Sequence, residues 1–345
     1  MSFRAWVSVI TGVLLVAIVF FAWPEIVAAY QLLGQANGWV LSLMVPVLFI
    51  SFLATGEMIF SYLRFKGQLH HLGIFQTARI AFELNFVNHA LPSGGAAGFS
   101  YLGWLLRHHG VRPGRATMAQ FVRFAMTFVA FVVLLIGALM ILIIDQSIER
   151  TALLLSLMMM LLAVAVLVGG VYLISKRSRL MKFSSRLTKI VNRFVKLVTR
   201  GKRTDVLDRA ILDRFFDEIH KDYEELLRDK KILARPFVWA VVATLAEVML
   251  LYIAFLSLGV HINPAMLLVA FGVSTTVGMI SVTPGGAGLY EAIMIALLTS
   301  AGVAADVAIA GTLLARVIVV TMSIVLGYVF YQLTIMKYGK HTNQR

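Results

Sequence analysis

Glu57, Glu83, Arg123, Glu247, Glu291 and Arg316 stand inside or beside long apolar stretches of this chain. A charge in a hydrocarbon-like environment costs a few kcal/mol unless it is paired or hydrated, so each implies a partner or a wet cavity. Arg123 and Arg316 have the chemistry to hold a phosphate, because a guanidinium offers paired donors to two of its oxygens. Glu247 and Glu291 can carry a proton or pair with those arginines. Asn85 and Asn88, three residues apart on the first arm, can line the same cavity. The plain alternative for each charge is static ion pairing that holds a helical bundle together, and Arg79 reads as an interfacial anchor.

Two short segments interrupt the apolar pattern. They read ALPSGGAAGFSY (90–101), with Pro92, Gly94, Gly95 and Gly98, and SVTPGGAGLYEA (281–292), with Pro284, Gly285, Gly286 and Gly288. A Pro-Gly-Gly break frees backbone N–H and C=O groups, which is tolerable only inside protein or beside a wet cavity. The arm that follows each break starts with unpaired N–H donors and a positive dipole end, a seat for phosphate or carboxylate. The competing reading is that the glycines only permit close packing or a sharp turn. The second segment alone carries an acid, Glu291.

The elements that must position these groups are membrane helices. Hydrophobic residues make up 60% of the 345 and charged residues 14%, with a mean hydropathy of +0.87, far from the balance of a water-soluble domain. Several segments approach or exceed the roughly 18 apolar residues needed to cross a bilayer, so the predicted class is an all-α polytopic membrane protein rather than a barrel. Apolar stretches run over 5–23, 38–62, 80–106, 118–144, 152–174, 237–259, 264–300 and 305–333. The first reads as an uncleaved helix. Lys and Arg flank the stretch broken at Pro92 on both sides, whereas both flanks of the stretch broken at Pro284 are poor in them; by the positive-inside rule neither crosses the membrane. The expected layout is about six crossing helices plus two re-entrant broken-helix hairpins, in one transmembrane domain over 1–345. Both termini would be cytoplasmic, in a plasma membrane.

The net charge of +14 concentrates in residues 175–236, an expected cytoplasmic insertion. Its first half sets Lys182, Arg186, Lys189, Arg193 and Lys196 opposite a stripe of Leu180, Phe183, Leu187, Ile190 and Phe194, the pattern of a basic helix lying on an anionic membrane surface. The second half reads as a helix packed on the first.

An internal repeat relates 38–145 to 237–335. Glu57, Pro92 and Arg123 are matched in order and near-equal spacing by Glu247, Pro284 and Arg316. The basic-residue distribution runs the two copies in opposite directions, so the repeats are inverted. Inverted repeats with broken helices meeting near the midplane are the plan of many alternating-access transporters.

Enzyme signatures are lacking: PSGG at Pro92 to Gly95 has glycine where membrane lipid phosphatases need histidine, and no Walker A sequence occurs. The adjacent pairs His70-His71 and His108-His109 make poor metal sites. No cysteine is present. No catalytic residue, cofactor or metal is expected. Anionic head groups of membrane lipids are the expected partners; a second copy of the chain or an envelope glycosyltransferase is a further candidate, and nucleic acid is not.

The pairing of NHALPSGGAAG (88–98) with TPGGAGLYEA (283–292) resembles the flippase-like family, the transmembrane region of lysylphosphatidylglycerol synthases, which includes the UPF0104 membrane proteins. PGGxGxxE fits Pro284, Gly285, Gly286, Gly288 and Glu291 with a one-residue shift around Ala287. Full-length family members add a soluble domain that transfers an aminoacyl group to lipid, and that activity is not implied here. What the resemblance implies is ATP-independent movement of an anionic phospholipid or isoprenoid-linked glycolipid between leaflets, in cell-envelope lipid biogenesis. The rival readings are a small-solute secondary transporter and a non-transporting accessory protein of a membrane glycosyltransferase.

Overall fold

A computed structural model describes residue 34 and residues 36–90, 96–144, 150–198, 209–280 and 286–338, and every regular element among them is helical. In chain order these are α1 (Gly38–Ser42), α2 (Met44–Phe65), α3 (Ile74–Ala90), α4 (Ala96–His108), α5 (Pro113–Ile144), α6 (Arg150–Ile174), α7 (Arg177–Val198), α8 (Arg209–Arg228), a 3-10 turn (Lys230–Leu233), α9 (Ala234–Ser257), α10 (Pro264–Ile280), α11 (Leu289–Ser300) and α12 (Ala305–Tyr338). The chain is an all-α polytopic membrane protein. Among the described residues, Gly38–Phe65, Pro113–Ile143, Lys230–Ser257 and Ala305–Tyr338 are long and apolar enough to cross a bilayer, and α6 carries no charge after Arg150. The expected first helix, over 5–23, lies outside the described residues.

The helix ends fall at matching intervals in the two halves. Gly67 and Gly259 follow α2 and α9 with φ of 73° and 77°, and Gly110 and Gly302 follow α4 and α11 with φ of 80° and 88°. That left-handed backbone is the usual glycine stop of a helix. Both pairs are 192 residues apart, as are Pro92 and Pro284. Packing follows the same correspondence. α2 packs most extensively on α9; α3 lies on α12 as α10 lies on α5, and α2 meets α5 as α9 meets α12.

Helices α2 and α9 are antiparallel, since the Asn37 N–H donates to the Ser257 carbonyl at one end while Arg64 and Ala234 line one groove at the other. The α3–α4 hairpin is re-entrant. Arg79, early in α3, bonds Thr334, and His109, just past α4, reaches Tyr338, so both arms open at the C-terminal end of α12. At 17 and 13 residues they span about 26 and 20 Å, short of a bilayer core of about 30 Å. The first arm begins six residues earlier than its hydropathy suggests, because Thr77 and Arg79 find polar partners in the protein rather than in water. Helices α10 and α11, of 17 and 12 residues, form the second hairpin. It joins the other end, close to the C-terminus of α9 and the N-terminus of α12.

Helices α7 and α8 pack on each other through Ser184 and Asp213, Arg177 and Asp217, and the rings of Phe183 and Phe216. Part of the apolar stripe of α7 is therefore covered by protein: Leu180 is buried. Lys182, Arg186 and Lys189 are exposed; the side chains of Arg193 and Lys196 are outside the described set. Helix α8 also clamps the bundle. Asp222 accepts from Tyr62 of α2 and Arg115 of α5, Glu218 accepts the Gly114 N–H, and Glu225 meets Lys66.

Candidate functional site

Around the second hairpin, α9 and α11 meet α12 at one guanidinium. Glu291 stands in the first turn of α11, where one carboxylate oxygen accepts the Gly288 N–H at 2.6 Å and the other accepts from Arg316 Nε at 2.9 Å. The acid thus caps its helix and neutralises Arg316 at once. The same guanidinium faces the Tyr290 ring, 4.8 Å from its centroid, and lies in electrostatic range of Glu247 of α9. Glu247 in turn accepts from Ser51 of α2 at 2.6 Å. Beneath this cluster Gly286 (φ 74°) meets the Gly278 backbone so closely that a Cβ would stand 3.0 Å from its Cα and carbonyl oxygen.

The first hairpin differs from the second in charge. Arg123 stands ten residues into α5 and Arg316 eleven into α12, both about 15 Å along their helices from opposite ends of the bundle. Arg123 lies over Phe124, 4.5 Å from the ring centroid, and Phe99 of α4 stacks on that same ring at 5.5 Å. Among the described residues no carboxylate comes within 4.0 Å of the Arg123 guanidinium, and its enclosed Nε has no hydrogen-bond partner. Other polar atoms near this hairpin share that state. Gln120, one turn before Arg123, is 1% exposed with neither amide atom bonded, and Asn88 Oδ1 is buried without a donor. Gly98 leaves room for the Asn88 side chain, which a Cβ there would strike. Buried polar atoms left unbonded each cost on the order of 1–3 kcal/mol, so these are the atoms of the first hairpin and of α5 that gain most from a polar partner.

The remaining expected residues lie elsewhere. Glu83 is fully buried and saturated: it takes Arg79 at 2.8 Å, Tyr101 at 2.6 Å and Thr334 at 2.7 Å, tying α3, α4 and α12 together. Arg79, expected as an interfacial anchor, belongs to this cluster. Asn85 bonds the Ala81 carbonyl. Glu57 is held by both terminal nitrogens of Arg64 at 2.8 and 3.1 Å and by Thr77 at 2.9 Å. Pro92, Gly94, Gly95, Pro284 and Gly285 lie outside the described residues. The structure thus brings Glu247, Glu291 and Arg316 together, sets Asn88 against Gly98 and joins Arg123 to α4 through the Phe124 and Phe99 rings, while Glu57 and Glu83 hold other partners. Ser51, Gln120, Tyr101, Tyr290 and Thr334 join these clusters without having been expected. Gln120 alone carries a sequence signal, as an amide one turn from an arginine within an apolar run.

The family match spans almost all of these elements: the family described as lysylphosphatidylglycerol synthase TM region matches residues 7–327. The chain belongs to that family. Among curated relatives, a UPF0104 membrane protein of Pyrococcus horikoshii is 32% identical over 110 residues, covering 32% of this chain and 33% of the relative. A UPF0104 membrane protein of Methanothermobacter thermautotrophicus is 29% identical over 101 residues, 29% of this chain and 30% of the relative. The matched segment spans about a third of each of those two proteins. Within the family frame, the two arginines and the two hairpins lie inside the matched region, and so does the asymmetry of charge between them.

Proposed function

We propose that this protein moves an anionic lipid between the leaflets of a plasma membrane without using ATP, with Arg123 holding the head-group phosphate. The observation that carries this reading is the charge difference between the two hairpins. Arg316 has its counter-ion built in, whereas among the described residues Arg123 has none and stands one turn from the unbonded amide of Gln120. An anionic ligand supplies what Arg123 lacks, and inverted repeats around it give the route for alternating access. Glu291 keeps the Arg316 side neutral, so a single anion is held at one end of the path and released at the other. Membrane lipids are the partners in this reading, the basic face of α7 lies toward the cytoplasmic leaflet, and no chemical transformation is assigned.

Proteoliposomes with fluorescent phosphatidylglycerol in both leaflets, reduced from outside with dithionite, test this directly. Translocation above protein-free vesicles that drops with Arg123→Gln is the expected result. If the wild-type protein moves neither this lipid nor an isoprenoid phosphate faster than empty vesicles, the proposal is wrong.

A further inference from the structure

A second polar recess lies away from Arg123, where the C-terminal end of α2 meets the N-terminal end of α9. It is a partly open groove of about 440 Å³ lined by Glu57, Ser61, Arg64, Ala234, Arg235, Val238 and Trp239, within the size range of small-ligand sites. Its chemistry is graded. Glu57 is spent on Arg64 and Thr77, and Arg64 also donates to the Leu72 carbonyl, so the floor is a fixed, locally neutral pair. Arg235 is exposed and has no carboxylate within 4.0 Å among the described residues. Ser61 is 5% exposed, yet its hydroxyl has no partner. Val238, 58% exposed, and half-buried Trp239 form an apolar wall beside the cation.

We infer that this groove binds the phosphate group of a lipid head, with Arg235 as its cation, Ser61 as a hydroxyl donor and Trp239 against the glycerol and upper acyl carbons. A net positive lining excludes a purely cationic ligand, and the apolar wall suits an amphiphile more than a free ion. An indole at the edge of a membrane span is at home at head-group depth. The groove lies at the basic end of the bundle, beside Lys66 and Arg64, so it receives lipid from the leaflet that faces that end. The inference rests on the lipid reading above and adds a docking site distinct from Arg123.

The chain has no cysteine, so Val238→Cys gives a single reporter thiol in the groove. In maltoside micelles, its rate of maleimide modification is measured with dihexanoyl phosphatidylglycerol, with inorganic phosphate, and with dihexanoylglycerol, which lacks phosphate. The short phospholipid at about four times its dissociation constant slows the reaction about fivefold, since the free fraction is 1/(1 + [L]/Kd). Dihexanoylglycerol has little effect, and adding Arg235→Gln removes the protection. Protection by inorganic phosphate alone keeps the phosphate site but overturns its lipid source. Equal protection by dihexanoylglycerol, protection that survives Arg235→Gln, or a thiol that does not react without ligand each overturns the inference. Because the assay reads binding without translocation, its failure is separate from a failure of Arg123→Gln to slow transport.

Discussion

Arg316 Nε lies 2.9 Å from Glu291 Oε1, and the other oxygen of that carboxylate holds the N-terminus of α11. Their side chains are 20% and 13% exposed, so this is a largely buried pair whose loss leaves a stranded guanidinium. Glu291→Ala is expected to destabilise the protein by about 3 kcal/mol, the range for removing one partner of a buried pair. Glu291→Gln, which keeps an acceptor for the Gly288 N–H, costs less. Thermal unfolding in detergent checks both, and the Glu291→Ala, Arg316→Ala double variant should recover part of the loss. An unchanged melting temperature for Glu291→Ala would remove the pair from the list of structural contacts.

Arg123 behaves in the opposite way. Its charge has no counter-ion among the described residues, so Arg123→Gln removes a desolvated cation and leaves stability unchanged or raised by up to about 1 kcal/mol. Lipid translocation in proteoliposomes falls by at least about tenfold, since the anionic ligand loses its ion pair. Arg316→Gln should show the reverse emphasis, with a lower melting temperature before any specific effect on transport. A variant pair that loses stability and transport in parallel would erase the proposed division of labour.

Much of this arrangement was legible in the sequence. Hydropathy gives the all-helical membrane class and the two short-armed hairpins, because it is a local property that one chain displays. Arg79 and Glu83 are four apart on a helix, a spacing that makes a pair. What fills the rest of that cluster was not legible. Thr334 is 251 residues from Glu83 and Ser51 is 196 from Glu247; nothing in a threonine or serine within an apolar run says which distant carboxylate it will meet. The decisive asymmetry was half legible. Glu291 was visible as an acid with no counterpart in the first hairpin, but its commitment to Arg316 and to a helix cap depends on rotamers that spacing does not fix.

The Glu83 cluster offers a separate stability test. Glu83→Ala strands Arg79 and removes the acceptor of Tyr101 and Thr334, for an expected loss of about 3–5 kcal/mol. Tyr101→Phe removes one bond to a charged group, about 1.5–3 kcal/mol. Chemical or thermal unfolding monitored by helical circular dichroism gives the order, and a Tyr101→Phe cost equal to that of Glu83→Ala would contradict the network.

Acidification should loosen the clamp formed by α8. The hydrogen bond from Lys66, with the nearby charges of Lys66 and Arg115, holds the Glu225 carboxyl below its ordinary 4.5 despite some opposing desolvation. A carboxyl depressed in the folded state contributes stability that is present above the unfolded value and lost as pH falls through the folded one. Protection factors in α8, with the intrinsic exchange rate divided out at each pH, are therefore steady from pH 7 to about 5 and fall below about 4.5. Half exposure of Glu225 keeps the effect small and salt-sensitive. Glu225→Gln should flatten it.

Glycine substitutions separate close packing from site chemistry. At Gly286 a new Cβ meets the backbone of Gly278 at 3.0 Å, and the residue already has φ of 74°, so Gly286→Ala forces the arms of the second hairpin apart and adds about 1–2 kcal/mol of backbone strain. At Gly98 the obstacle is the Asn88 side chain, which can turn aside. Gly98→Ala therefore costs less stability than Gly286→Ala but displaces a candidate ligand contact. Gly103, on the same helix as Gly98, has nothing within 4 Å of its Cβ position; Gly103→Ala should be neutral or stabilising by up to about 1 kcal/mol. If glycine serves the first hairpin only as a spacer, Gly98→Ala changes melting temperature and transport together. If Asn88 belongs to the anion receptor, transport falls while the melting temperature stays near that of Gly103→Ala.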